Sequence, residues 1–261
     1  MDRLYEGTKR ASSDLWRTAL AALVSVCAGC APELLPTTPI ATRPLGNSSG
    51  AGGRCLIVFL PGRRDHFGDY ERRGFPRMAK KAGVTADFLE ADAHIGYYRA
   101  ETIVTRLHED VIAPARARGA EKIWMVGISM GGLGAILYAS QHSEELRGVI
   151  ALAPFLGDEE PRLVEAAGGL RSYAVGAPRQ VGDYERYLWG WLKSYTAEGA
   201  SRPPIWIGFG AEDHLAPADR LLAEALPPGR TFVEPGDHDW KTWTRLWQDL
   251  LDAGILQRDC R

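Results

Sequence analysis

The residues best suited to chemistry in this chain are a serine and the glycines around it, Gly127-Ile128-Ser129-Met130-Gly131-Gly132. They fit G-x-S-x-G, a pattern in which a strand turns sharply into a helix and lifts a hydroxyl clear of the backbone. So tight a turn strains the serine backbone, and side chains at Gly127 and Gly131 would collide with neighbouring chain. The same letters can also spell a glycine-rich turn whose serine merely caps a helix. The flanks favour the first reading. Lys122-Ile123-Trp124-Met125-Val126 is a short apolar run typical of a buried strand, and Gly131 to Ser140 is small and apolar with helical spacing.

An alkyl hydroxyl is a poor nucleophile at neutral pH. It needs an imidazole to take its proton and a carboxylate to hold that imidazole in one tautomer. Six histidines are available. His66 and His94 follow strands, on the sheet edge where Ser129 must lie. His108 and His142 fall within or at the end of helices and read as surface residues. His214 follows a strand beside Asp213, and His238 sits in Gly236-Asp237-His238-Asp239-Trp240, just before the last helix. The chain order nucleophile, acid, histidine selects Asp213 and His238. Asp213 ends Gly210-Ala211-Glu212-Asp213 after a clear strand, and His238 follows 25 positions later, after one helix and one strand. All three groups then lie at the carboxyl ends of parallel strands, where open α/β sheets place their sites. Glu212 and His214 are the alternatives, although adjacent residues leaving a strand tend to point opposite ways.

Metal or cofactor binding is not expected. No paired C-x-x-C and no H-E-x-x-H occurs, and Asp92-Ala93-His94 offers one aspartate and one histidine, too few for a site. His94, Tyr97 and Tyr98 are nevertheless placed to line a pocket on the same edge.

The elements that must hold these groups alternate between strand and helix, which argues a parallel α/β sheet. Strands are expected at Arg54 to Leu60, Val84 to Ala91, Lys122 to Ile128, Arg147 to Ala153, Pro203 to Gly210 and Thr231 to Val233. Helices are expected between them, at about 69–82, 99–118 and 217–225, with a terminal amphipathic helix from His238 to Ala253. Pro114 should kink or restart the second of these. Residues 157–202 break the rhythm and read as a short helical insertion, whose Trp189 and Trp191 suit either a lid or the core. With 261 residues, 45% hydrophobic and 25% charged, one domain over 54–261 is the simplest division. A formal net charge of −2 gives no argument for nucleic acid.

The chain resembles the α/β-hydrolase superfamily, of the small esterase or lipase-like type, over about residues 54–255. The carriers are the Ser129 elbow, Gly210-Ala211-Glu212-Asp213, Gly236-Asp237-His238 and Leu60-Pro61-Gly62. The resemblance implies a mostly parallel sheet of about six strands with helices on both faces. It also implies hydrolysis of a small-molecule carboxylic ester or thioester by Ser129, His238 and Asp213. The oxyanion hole would combine the Met130 N–H with one from the loop after the first core strand, carried over to Arg63. The His-Gly-Gly-Gly form of that loop is absent, with Pro61 in place of the histidine, so Gly62 and Arg64 are the other candidate donors. The early antiparallel strands of larger members are also missing. The alternative is a non-catalytic α/β-hydrolase fold serving as an envelope scaffold or binding protein.

The N-terminus reads as a targeting segment rather than fold. Arg3, Lys9, Arg10 and Arg17 precede a short apolar run, Thr18 to Gly29, which suits a signal peptide over 1–30. No run of eighteen apolar residues exists to span a bilayer. Ala28-Gly29-Cys30 resembles the end of a bacterial lipobox, whose cysteine is acylated, although Cys27 stands where an aliphatic residue is usual. The expected location is the cell envelope, lipid-anchored through Cys30 and facing the periplasm; a soluble secreted or periplasmic protein is the alternative. Residues 31–53, rich in Pro, Thr, Ser and Gly, read as a flexible linker. Cys55 and Cys260 remain, either paired or as two free thiols. Metabolic labelling with a fatty acid should mark the wild-type protein and leave Cys30→Ser unmarked.

Overall fold

A computed structural model describes residues 34–46, 54–177, 183–197 and 202–261. The expected signal peptide with Cys30 lies outside the described residues, as do 31–33 and 47–53 of the expected linker. Among the described residues no helix is long and apolar enough to cross a membrane.

Seven strands form one sheet in the order β1-β3-β2-β4-β5-β6-β7. They are β1 Thr42–Pro44, β2 Cys55–Leu60, β3 Asp87–Ala91, β4 Lys122–Ile128, β5 Gly148–Leu152, β6 Ile205–Gly210 and β7 Thr231–Glu234. All neighbouring pairs from β3 to β7 are parallel, whereas β1 runs antiparallel to β3. Every residue of β2 and β5 is buried, as expected of strands covered on both faces. Gly148 of β5 makes room for a neighbour: a side chain there would run into the indole of Trp124 on β4.

Among the parallel strands the order reverses once. From β2 the chain passes to β3 on one side, then returns to place β4 on the other side of β2. Ligands of open α/β sheets bind where the order reverses, at the carboxyl ends of the strands. Leu60 pairs with Gly127 across β2 and β4, so the loop beginning at Pro61 emerges beside Ser129. The topology therefore brings the expected oxyanion loop to the expected nucleophile.

β1 differs from expectation. It lies inside the segment read as a linker, and Ile40 and Leu45 on its flanks are buried. Its own three residues are exposed and one is proline, so the stretch carries no alternation of apolar and polar residues. An edge strand bonded on one side tolerates that composition. The compact unit accordingly starts at Leu35 rather than at residue 54.

The second long helix is also reshaped. Ile103–Arg106 and Ala113–Ala117 are α-helical, and Leu107–Ile112 between them is a π-helix. Pro114 has no N–H to give the preceding turn, and the widened turns keep the helix continuous through it. The insertion holds two helices, Glu160–Ala166 and Tyr184–Lys193. Trp189 is fully buried, with its indole N–H donating to Leu156 O at 2.8 Å, so it belongs to the core and not to a lid.

Two contacts tie the C-terminal region to the first core strand. Trp247, on the terminal helix Trp240–Asp252, stacks on Phe75 with ring centroids 5.2 Å apart, and its indole N–H donates to Phe75 O. Phe75 and Tyr70 in turn pack on Phe59 of β2. At the far end of β2, Cys55 and Cys260 form a disulfide with Cα atoms 5.6 Å apart and a sequence separation of 205. Cross-linking so distant a pair restricts the unfolded chain strongly. Cys260→Ser should lower the stability measured by urea unfolding by ~2–4 kcal/mol without changing the folded far-UV circular dichroism.

Candidate active site

Ser129 stands between β4 and the helix Met130–Gln141 with φ 53° and ψ −114°. Non-glycine residues avoid this region, at a cost of about 1–3 kcal/mol, and the surroundings must therefore enforce it. Three backbone hydrogen bonds do so. The Ser129 N–H donates to Leu152 O at 2.9 Å, and its carbonyl accepts from Leu133 and Phe155 N–H at 3.1 and 3.0 Å. The glycines leave the space the turn requires. A side chain at Gly127 would strike the Gly131 carbonyl, and one at Gly131 would strike Leu60 O of β2. Gly132 lies against Pro154 in the same way.

The structure brings the expected acid and base together. Asp213 follows β6 and is buried, and its Oδ2 lies 2.7 Å from His238 Nδ1. Its other oxygen accepts from Leu215 N–H at 2.8 Å, which fixes the carboxylate plane. The His238 ring rests edge-on against Trp243, with centroids 5.0 Å apart. The next residue, Asp239, caps the terminal helix by accepting from Thr242 N–H. The two alternatives have other roles. Glu212 binds the backbone N–H of Gly236 with its carboxylate and so shapes the His238 loop. His214 has its Nδ1 3.4 Å from Asp213 Oδ1, but its side chain is 69% exposed.

Ser129 and His238 line one cavity of about 880 Å³, together with Met130, Arg63, Trp240 and Trp243. Arg64 also reaches it, whereas the Gly62 N–H is already engaged by Asp65 Oδ2 at 2.8 Å. Arg63 and Arg64 both border the cavity that holds Ser129. Asp65 is a member that sequence reasoning missed. Its Oδ1 accepts from the Trp240 indole N–H at 2.9 Å, across 175 residues of chain. Burial raises the Asp65 carboxyl above its ordinary value, and the bonds from Gly62 and Trp240 offset part of that rise. Only its place shortly after β2 marked it.

The remaining histidines lie elsewhere. His94 caps the helix Ile95–Arg99, its Nδ1 accepting from Gly96 N–H at 3.1 Å. Tyr97 is buried and bonded to Thr37, and Tyr98 OH lies against Gly134. Of that loop Ile95 reaches the cavity. His108 and His142, read as surface residues, are half-buried and stacked at 4.4 Å with Glu145 beside them. This trio, and the trio Asp213, His214 and His238, are the groups among the described residues whose donor atoms converge enough to hold a metal ion.

Residues 93–179 match the sequence model of the S33 serine aminopeptidase family. No curated protein matches the chain by sequence. Among solved structures, a ferulic acid esterase superposes with TM-score 0.55 at 16% identity, covering 83% of this chain and 97% of its own. Est1E from Butyrivibrio proteoclasticus gives 0.56 at 18%, covering 83% and 92%. An S-formylglutathione hydrolase from Staphylococcus aureus gives 0.53 at 16%, covering 84% and 98%. The mostly parallel sheet, the strained serine after its central strand and these superpositions identify the chain as a protein of the α/β-hydrolase fold.

Proposed function

We propose that this protein is a serine hydrolase of carboxylic esters or thioesters, working through an acyl-enzyme. The observation that carries the reading is the 2.7 Å contact between His238 Nδ1 and the buried Asp213, on a histidine that shares its cavity with Ser129. Asp213 keeps the Nδ1 proton, so Nε2 is the basic nitrogen. As Ser129 Oγ attacks the carbonyl carbon, its proton passes to Nε2. The carbonyl oxygen becomes an oxyanion, for which the Met130 N–H at the start of a helix and the Arg63 N–H are the proposed donors. Collapse of the tetrahedral adduct breaks the bond to the leaving group, which takes the proton back from His238. Water, deprotonated by the same nitrogen, then attacks the acyl carbon; the acyl–Oγ bond breaks, Ser129 Oγ takes the proton back from His238, and the acid leaves.

The neighbours named as esterases support ester cleavage, and the match to a serine aminopeptidase model over 93–179 favours amide cleavage as a second reading. Both bonds suit the same machinery. A lipid on Cys30 would hold the enzyme at the bacterial envelope, where an ester-bearing small molecule would be its substrate.

Mass spectrometry after fluorophosphonate treatment should find a single adduct on Ser129, lost in Ser129→Ala and slowed strongly in His238→Ala. Absence of an adduct on folded wild-type protein would leave the scaffold reading. Among the acids, Asp213→Asn should lower kcat/KM for a 4-nitrophenyl ester by up to ~10⁴-fold, because the imidazole would adopt the wrong tautomer. Glu212→Gln should cost less than about tenfold, since its partner is a backbone N–H rather than the imidazole.

A further inference from the structure

Four cationic side chains, Arg63, Arg64, Arg73 and Lys241, line the cavity that holds Ser129. Among the described residues, none of the four forms an ion pair with a carboxylate. Nearby arginines do: Arg72 pairs with Asp69 at 2.7 Å, and Arg245 with Glu234 at 3.0 Å. The four come from two neighbouring parts of the fold. Arg63 and Arg64 lie on the loop after β2, and Arg73 follows the short helix Asp69–Arg72. Lys241 lies in the first turn of the terminal helix. The Asp65–Trp240 hydrogen bond joins the two parts, and the Arg73 guanidinium lies 5.4 Å over the Trp240 ring, which holds that charge on the cavity wall.

Three carboxylates line the same cavity, and two are already engaged. Asp65 accepts from Gly62 and Trp240, and Asp239 caps the terminal helix. Asp158 is the third. Hydrogen bonds from neutral donors leave those carboxylates charged, so the wall carries four cations against three anions, and its concave shape focuses the positive excess. Two adjacent arginines also suit bidentate pairing with a planar or tetrahedral oxyanion.

We infer that the substrate is an anionic ester, one that carries a carboxylate or phosphate on its acyl or alcohol part besides the bond that is cleaved. This rests on the hydrolase reading above and adds a substrate class to it. The anion would pair with the cations of the β2 loop and the terminal helix while the scissile carbonyl sits at Ser129.

The test compares 4-nitrophenyl butyrate with its anionic counterparts, 4-nitrophenyl hemiglutarate and the butyrate ester of 3-carboxy-4-nitrophenol. At least one anionic ester should exceed the neutral one in kcat/KM by tenfold or more, chiefly through KM. Raising the salt from about 0.05 to about 0.5 M should shrink that ratio several-fold. In Arg64→Gln/Arg73→Gln the ratio should fall at least tenfold, and the double Lys variant should recover most of it. A second readout needs only a reactive Ser129: methyl hemiglutarate or carboxymethyl butyrate should slow fluorophosphonate labelling at concentrations where methyl butyrate does not. A ratio at or below one for both anionic esters, with equal protection by the neutral one, overturns the anionic-substrate inference and leaves the hydrolase intact. No turnover of any ester and no adduct on Ser129 overturns the hydrolase reading, and this inference with it.

Discussion

The close approach of the helix after Ser129 to the end of β2 governs the rest of the site. Gly131 packs against Leu60 O with no room for a side chain, and Gly127 faces the Gly131 carbonyl under the same restriction. Contact at this distance makes the strand-to-helix turn as abrupt as it is, and the abruptness drives Ser129 to φ 53°. The strain persists because the Ser129 backbone is bonded on both sides, to Leu152 and to Phe155, so relaxing it would break contacts with β5 and the segment that follows. The loop that follows β2 inherits its place from the same packing. It begins one residue beyond Leu60, so whatever fixes the helix against β2 also sets where Arg63 begins.

The other half of the site is held by a different part of the molecule. His238 rides on a loop between β7 and the terminal helix, and that helix is anchored by its tryptophans to the layer over β2. Asp65 closes the arrangement, one oxygen accepting from the Gly62 N–H and the other from the Trp240 indole. The loop after β2 and the first residue of the terminal helix thus share one half-buried carboxylate, although they come from opposite ends of the chain. A side chain that accepts from both elements couples their positions, because a shift of either would take a partner from one of its oxygens.

Much of this was legible in the sequence, for reasons that differ by residue. The elbow was readable because its chemistry needs small residues at fixed offsets, and its flanks carried strand and helix periodicities. Asp213 and His238 were preferred to Glu212 and His214 on the chain order nucleophile, acid, histidine and on the opposite directions that adjacent residues take as they leave a strand. Three features were not readable. β1 has polar, exposed residues and a proline, and only its pairing with β3 makes it a strand. Asp65 acts through a contact spanning 175 residues, which no local pattern records. Trp189 and the cavity tryptophans Trp240 and Trp243 look alike in sequence, and although Trp189 and Trp243 are both buried, it is the fold that sets Trp243 beside His238 and Trp189 against Leu156. The pairing of Cys55 with Cys260 stood open between two readings until the fold set their Cα atoms 5.6 Å apart.

That disulfide makes the domain a covalent ring in all but its short tails. Every segment from Cys55 to Cys260 lies inside the loop it closes, including both helices of the insertion and the chain joining them. A single proteolytic nick anywhere in the ring therefore opens it without dividing the molecule, and the two pieces stay joined until a reductant separates them. A cut in an exposed loop would thus leave Ser129, Asp213 and His238 on one covalent body.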